Sequence, residues 1–411
     1  MIEPRGAAKV QALLDRGVSI PNPYAVDIAD DVDPDRISGD GVVLHQGTRL
    51  SGGKTVISAG CVLGAEGPVT VANCRLGPRV ELKGGYAANA VFLDTSSMGL
   101  GHHVREGCLL EEESGGAHCV GLKQTILFPF VTLGSLINFC DVLMAGGRSR
   151  KEHSEVGSSY IHFNFTPSGD KTTPSLFGDV PRGVMLDQAP IFLGGQGGTV
   201  GPVQVAYGTV VGAGSILRSD VPKPDQLIVV GPPPTMQAPF VADDYRGLNR
   251  LVGKNLLYVA HLVALQSWYE HIRRPFFERQ EFGALVYEGA LEMLAVARAE
   301  RLSRLRAMIA KVRPDDAERA SLKDSIDALC AIFDPAIFDP ANTMTTAGEA
   351  PQDLLSAMTQ AAASGAGYVE AVRALPPEVA SRGTSWLHAA VENLFAQSGT
   401  IVPALKRLPR I

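Results

Sequence analysis

Between Arg148 and Asp179 the chain gathers side chains suited to moving a proton and holding an anion: Arg148, Arg150, Lys151, His153, His162, Asn164 and Lys171. An imidazole is the side chain best placed to take a proton near neutral pH. A lysine ammonium binds phosphate as a point charge, and arginine binds it as a planar fork. The segment breaks the pattern around it, and loops projecting from a rigid scaffold commonly carry function. His162 alternates with apolar Ile161 and Phe163 as in a strand, so it reads as a structural histidine facing solvent or core. His153 lies in a charged stretch and is the candidate base, with a plain surface histidine as the alternative.

The elements that must position these groups are short. Read in sixes from Val205, the chain gives VAYGTV and then VGAGSI. An apolar residue opens each six, and small residues follow. Neither a helix nor a hairpin has that period. A parallel β-helix of hexapeptide turns has it, with each short strand one side of a triangular coil. The opening aliphatics then point inward and stack, and the small residues form tight corners. Looser sixes open at Val26 and Val32, and further ones at Leu50, Leu63, Leu76, Leu100 and Leu133. Their uneven spacing means that some coils carry loops.

The spacing predicts a lead-in over 1–25 with a helix from Ala7 to Leu14. A β-helix is expected over 26–221, a Pro-rich linker over 222–240 and an α-helical domain over 241–411. Pro275 is expected to end the first long helix. Helices are further expected over 284–312, 317–333, 352–374 and 377–397. Arg298, Arg301, Arg304 and Arg306 read as a solvated helix face, and Glu111, Glu112 and Glu113 as a solvated turn. The fold class is thus β-helix followed by helices.

The chain has 411 residues, enough for more than one domain, and a net charge of −6. Such a balance points to neither nucleic acid nor an anionic membrane as partner. Six scattered cysteines without a Cys-x-x-Cys pair suit a reducing compartment, so a cytoplasmic protein is expected. The N-terminal stretch is charged and lacks the features of a signal peptide.

From Ile191 to Pro222 the chain resembles the acetyltransferase half of the bacterial bifunctional enzyme that makes UDP-N-acetylglucosamine. The residues that carry the likeness are Phe192-Leu193-Gly194-Gly195, Val200-Gly201-Pro202-Val203, Val211-Gly212-Ala213-Gly214 and Val221-Pro222. Upstream, Asn138-Phe139, His153, Asn164-Phe165, Lys171 and Gly178-Asp179 fall where that family has matching groups. The resemblance implies a left-handed parallel β-helix, a homotrimer, and acetyl-coenzyme A lying between neighbouring coils. It implies His153 as general base, Asn164 as its or the amine's orienter, and Lys171 with Asn138 as sugar-binding groups. Gly195, Gly212 and Ala213 would leave room for the pantetheine arm. The acceptor would be a small amino sugar bearing a phosphate or nucleotide.

The sequence also departs from that family. The arginine and lysine ahead of the histidine have no counterpart in FPFVTLGSLINFCDVLMAGG, so Arg148, Arg150 and Lys151 are the available replacements. Residues 1 to 40 carry no Gly-rich nucleotide loop, so uridylyl transfer is not expected. Two other readings stay open. His102, His103 and His118 suggest a zinc site like that of γ-type carbonic anhydrases, but the four-residue gap between two ligands is missing, and no metal is expected. A β-helix kept as a non-catalytic scaffold or sugar-nucleotide sensor is the other.

Overall fold

Strands of mostly two or three residues cannot stand alone, and here each is ended by a corner that turns the chain onto the next side. Several corners hold non-glycine residues in the left-handed region, among them Asn73 at φ 52° and Asn89 at φ 49°. Asparagine tolerates that conformation better than most residues. The result is a parallel β-solenoid of about 11 turns followed by a helical region. The computed structural model describes residues 5–162, 173–243, 245, 247–334 and 349–407.

One side of the solenoid stacks ten strands in parallel, from Val43–Leu44 to Leu227–Ile228. The second residue of each strand points inward. Leu44, Leu63, Leu82, Met98, Leu133, Val156, Leu193 and Val211 form a column that is at most 4% exposed. Burying each such side chain contributes about 1.5–3 kcal/mol. Val205, Val211 and Leu217 lie inside, as the sixes require. Leu100 does not: it is 42% exposed, and Met98 takes the inward place. Its Leu-Gly pair imitates a coil start, but the side chain lies outside against Gly67 and Gly84.

The solenoid continues beyond Val221. Leu227–Ile228, within the expected linker, pair with Val210–Val211, and Ser19, within the expected lead-in, bridges to Val43. The N-terminal helix α1 spans Ala7–Arg16. A single turn α2, Val180–Gly183, is capped by Asp179.

The helical region comprises α3 (Leu248–Trp268), α4 (Arg274–Phe277), α5 (Gly283–Lys311), α6 (Ala317–Ala331), α7 (Gln352–Ala363), α8 (Tyr368–Arg373) and α9 (Pro377–Ile401). α3 is buried almost all round, as befits a helix held between neighbours; it packs on α9, α5 and α2. Pro275 does not end it. A π-helical turn over Tyr269–Arg273 carries the chain into α4, absorbing the hydrogen bond that proline cannot donate. The expected helix over 352–374 is broken between α7 and α8, with Gly365 at φ 95° inside the break.

Two charged stretches that read as solvated are interior. Glu111 is 2% exposed, accepts from the Tyr269 hydroxyl at 2.5 Å and is ion-paired with Arg273 at 2.9 Å. Glu112 also pairs with Arg273. Arg298 and Arg301 are each 2% exposed, and Arg301 pairs with Asp141 at 2.9 Å. Arg304 and Arg306 stay near the surface, on Glu300 and Asp327. The Arg273 and Arg301 pairs join helices to solenoid. Burial of a single ion costs several kcal/mol, so each is held by a partner the local sequence does not reveal.

Candidate functional site

Two insertions interrupt the coils. The first is an antiparallel hairpin, Gly147–Ser149 with Glu152–His153, inserted between the strand Ile137–Met144 and the rung Glu155–Val156. Gly147 is at φ 105°, and a Cβ there would sit 2.6 Å from the His153 Cα, so the hairpin closes only with glycine. The second lies between Ser159–Ile161 and Ser175–Phe177. Asn164 and Lys171 fall in it, outside the described residues.

His153 is half-buried on the hairpin's second strand. Its Nδ1 is enclosed without a hydrogen-bond partner among the described residues. Its neighbours are engaged. Arg148 donates from Nε to the Asp187 carbonyl at 2.8 Å and pairs with Glu152 at 2.6 Å. Arg150 donates to the Glu113 and Phe130 carbonyls and, at 2.7 Å, to the Thr132 hydroxyl. It clamps the hairpin onto the coil corner. Lys151 has no such partner among the described residues and lines a cleft. Asn138 is half-buried on another side, in register with Gly121 and Tyr160.

His162 is the structural histidine its alternation suggested. Its Nδ1 meets the Cys140 carbonyl at 2.6 Å and its Nε2 the Ser175 hydroxyl at 2.7 Å. Burial pushes its pKa down to about 3. A neutral ring with both nitrogens occupied has no free site for a substrate proton.

Near the last rungs the coils approach backbone to backbone. A Cβ on Gly157 would lie 2.6 Å from the Gly195 nitrogen, and one on Gly194 would lie 2.4 Å from the Ala213 nitrogen. Gly195 and Gly212 are half-exposed, and Ala213 and Gly214 are exposed. A ligand can therefore approach this corner's main chain from outside.

A roomy cleft was not legible in sequence. A cleft of 780 Å³ separates a solenoid edge from the helical region and reaches the hairpin tip. Asp94, Glu112, Arg273 and Gln280 line it, with Arg79, Lys151 and Arg373. Burial raises the Asp94 pKa and pushes Glu112 up to about 8, against the pull of Arg273. One signal existed: three consecutive glutamates in a solenoid need cations nearby. A shallower groove of 570 Å³ adjoins it along Gly115, Gly116, Ala117 and Gly134, sharing Arg79 and Arg150.

His102, His103 and His118 do not converge. His102 is buried against the Gly99 carbonyl, His103 stacks on Tyr86, and His118 meets Ser135. Among the described residues no three His, Cys, Asp or Glu groups are placed to hold a metal ion. The six cysteines are free thiols. No helix among the described residues is long and apolar enough to cross a membrane.

Comparison with known proteins gives a partial likeness. No family model matches the chain. The chain is 26% identical over 221 residues to the bifunctional protein GlmU of Thermotoga petrophila, covering 52% of this chain and 42% of that one. For GlmU of a Janthinobacterium species the figures are 26% over 224 residues, 53% and 43%. A solved structure of LpxA from Acinetobacter baumannii aligns at 11% identity and a TM-score of 0.20, covering 67% of this chain and 95% of that one. The chain spans less than half the length of the curated relatives it matches. The parallel solenoid and the GlmU matches bear out the resemblance to the hexapeptide-repeat part of GlmU.

Proposed function

We propose that the chain is an acyl-coenzyme A-dependent N-acyltransferase of the hexapeptide-repeat type, acting on an amino sugar phosphate or nucleotide-linked amino sugar. The observation that carries this reading is the imidazole of His153, not tied up by any described neighbour, on a hairpin that interrupts the solenoid. His153 takes the proton from the attacking amine as nitrogen bonds to the thioester carbonyl carbon. The carbon–sulfur bond then breaks, and the coenzyme leaves as its thiol with that proton. Such a base contributes roughly 10²–10⁴ in rate. Asn164 orients the amine, and Lys171 and Asn138 hold the acceptor, with Lys151 as the added cation.

The pantetheine arm of acetyl-coenzyme A is assigned to the corner at Gly195, Gly212 and Ala213, which opens to solvent beside the close backbone approach at Gly157 and Gly194. The helical region occupies one side of the solenoid, so a homotrimer would meet across the other two. Sedimentation mass tests that point. The engagement of Arg148 and Arg150 with protein acceptors favours a second reading, in which the solenoid is a scaffold or sugar-nucleotide sensor.

The deciding assay follows free thiol released from acetyl-coenzyme A in the presence of amino sugar phosphates. His153→Ala is expected to lose about 10²-fold or more in kcat with an unchanged fold. Full activity in that variant removes His153 from the reaction. Absence of thiol release by wild-type protein with every acceptor favours the scaffold.

A further inference from the structure

We infer that the cleft between the solenoid edge and the helical region is a second small-molecule site, shaped for a phosphorylated sugar or polyol. It goes beyond the acyl-transfer reading, with which it shares only Lys151. Three kinds of wall meet there.

The rim is cationic. Arg79 on a solenoid corner, Lys151 on the hairpin tip and Arg373 at the end of α8 all line the cleft. None of the three has a hydrogen-bonded or ion-paired partner among the described residues, whereas Arg148, Arg150 and Arg273 are all engaged. Three elements distant in sequence thus bring cationic side chains to one opening, where Arg79 attracts the Asp94 carboxylate. Guanidinium and ammonium groups converging in this way suit a phosphate.

The floor has donors and acceptors left over. Arg273 is 1% exposed, and its Nε is buried without a hydrogen-bond partner. Glu112, 9% exposed, keeps Oε2 unpaired, and Gln280 keeps Oε1 unpaired. Each such group is destabilising when left unmatched. Hydroxyl groups both donate and accept, so a polyol bound beside these enclosed atoms would meet them through intervening water. Asp94 adds a carboxylate at the same wall. Phe276 and Phe277 lie beside the floor, and aromatic rings pack well on the C–H faces of a sugar. The volume of 780 Å³ lies within the usual range for small-ligand sites.

The test is calorimetric titration without acetyl-coenzyme A, so that its outcome is separate from that of acyl transfer. The probes are glucose 1-phosphate, inorganic phosphate and glucose. Glucose 1-phosphate is expected to bind with a Kd below about 1 mM, at least about tenfold tighter than either half alone. The Arg79→Glu/Arg373→Glu pair should weaken it at least about tenfold, and Arg49→Glu, on another solenoid side, should leave it unchanged. Arg373→Glu alone, at an exposed helix end, repeats the test if the double variant does not fold. His153→Ala should bind as wild type does. No heat from glucose 1-phosphate at about 10 mM overturns the proposal. So does equal affinity for inorganic phosphate, or unchanged affinity in the charge-reversed variants.

Discussion

The solenoid has one roofed side and two open ones, and the outward-pointing residues on them differ in kind. On the roofed side Val56, Arg75, Val91, Leu109, Ile126, Leu143 and Leu176 stack in register. All point out of the coil, and all are buried under the helical region. On an open side the matching column is Arg49, Thr70, Tyr86, His103, Gly121, Asn138 and Tyr160. Tyr86 and Tyr160 are 37% and 61% exposed. The same coil geometry thus serves two surroundings, and only the residues aimed outward distinguish them. α5 comes so close on the roofed side that a Cβ on Gly289 would lie 2.5 Å from the Arg75 side chain. The helical region completes the core here, and its ion pairs lock it in place.

The largest effect should come from placing a charge under the roof. Leu109→Asp is expected to cost about 4 kcal/mol or more, because it buries an unpaired carboxylate, whereas Tyr86→Asp on the open side should cost less than about 1 kcal/mol. Denaturant melts of the two variants compare the sides directly. Similar losses would mean that the roof contributes little to the core.

Next come the ion pairs at the seam. Measured above pH 8, where Glu112 is ionised, Arg273→Ala should cost about 3–5 kcal/mol, since it strands that carboxylate away from water without its cation. Arg382→Ala, which breaks an exposed pair with Asp353, should change stability by no more than about 1 kcal/mol. Equal effects would place both pairs in the same solvent environment.

The seam should also respond to pH. In the fold Glu112 keeps its proton up to about 8, while a free glutamate releases it near 4.5. The folded chain holds more protons in that window, so this contribution is full below 4.5 and is lost as pH rises through 8. Buried His162 and His261, pushed down to about 3 and about 4, act oppositely: their contribution is full above 6.5 and is lost as pH falls. Glu112→Gln should flatten the decline of Tm between pH 4.5 and 8 and leave the acid limb alone. Parallel Tm curves for the two proteins would show that Glu112 ionises normally in the fold.

What the sequence disclosed follows from how local each feature is. The sixes after Val205 were legible because each residue's direction is set by its own coil. His162 was legible as structural from its alternation with Ile161. Leu100 misled because Leu-Gly looks alike at a coil start and outside one. The roof was hidden because the partners that explain Glu111, Glu112, Arg298 and Arg301 lie far away in the chain. A trace of it remains in strands such as Ala90–Phe92 and Cys108–Leu110, apolar throughout rather than alternating, the mark of a strand buried on both faces. For the candidate site, residue type singled out His153, but the cleft beside it assembles from coil corners, a hairpin and helices that no short motif joins.

The smallest structural change gives the sharpest functional test. Ala213 is exposed at the open corner, so Ala213→Trp should shift stability by less than about 0.5 kcal/mol. Calorimetric titration of acetyl-coenzyme A into wild-type and Ala213→Trp protein is the most direct measurement of the acyl-transfer account. It predicts saturable binding by wild type below about 1 mM and none by the variant. Heat of dilution alone from wild type, or equal binding by both, would contradict it.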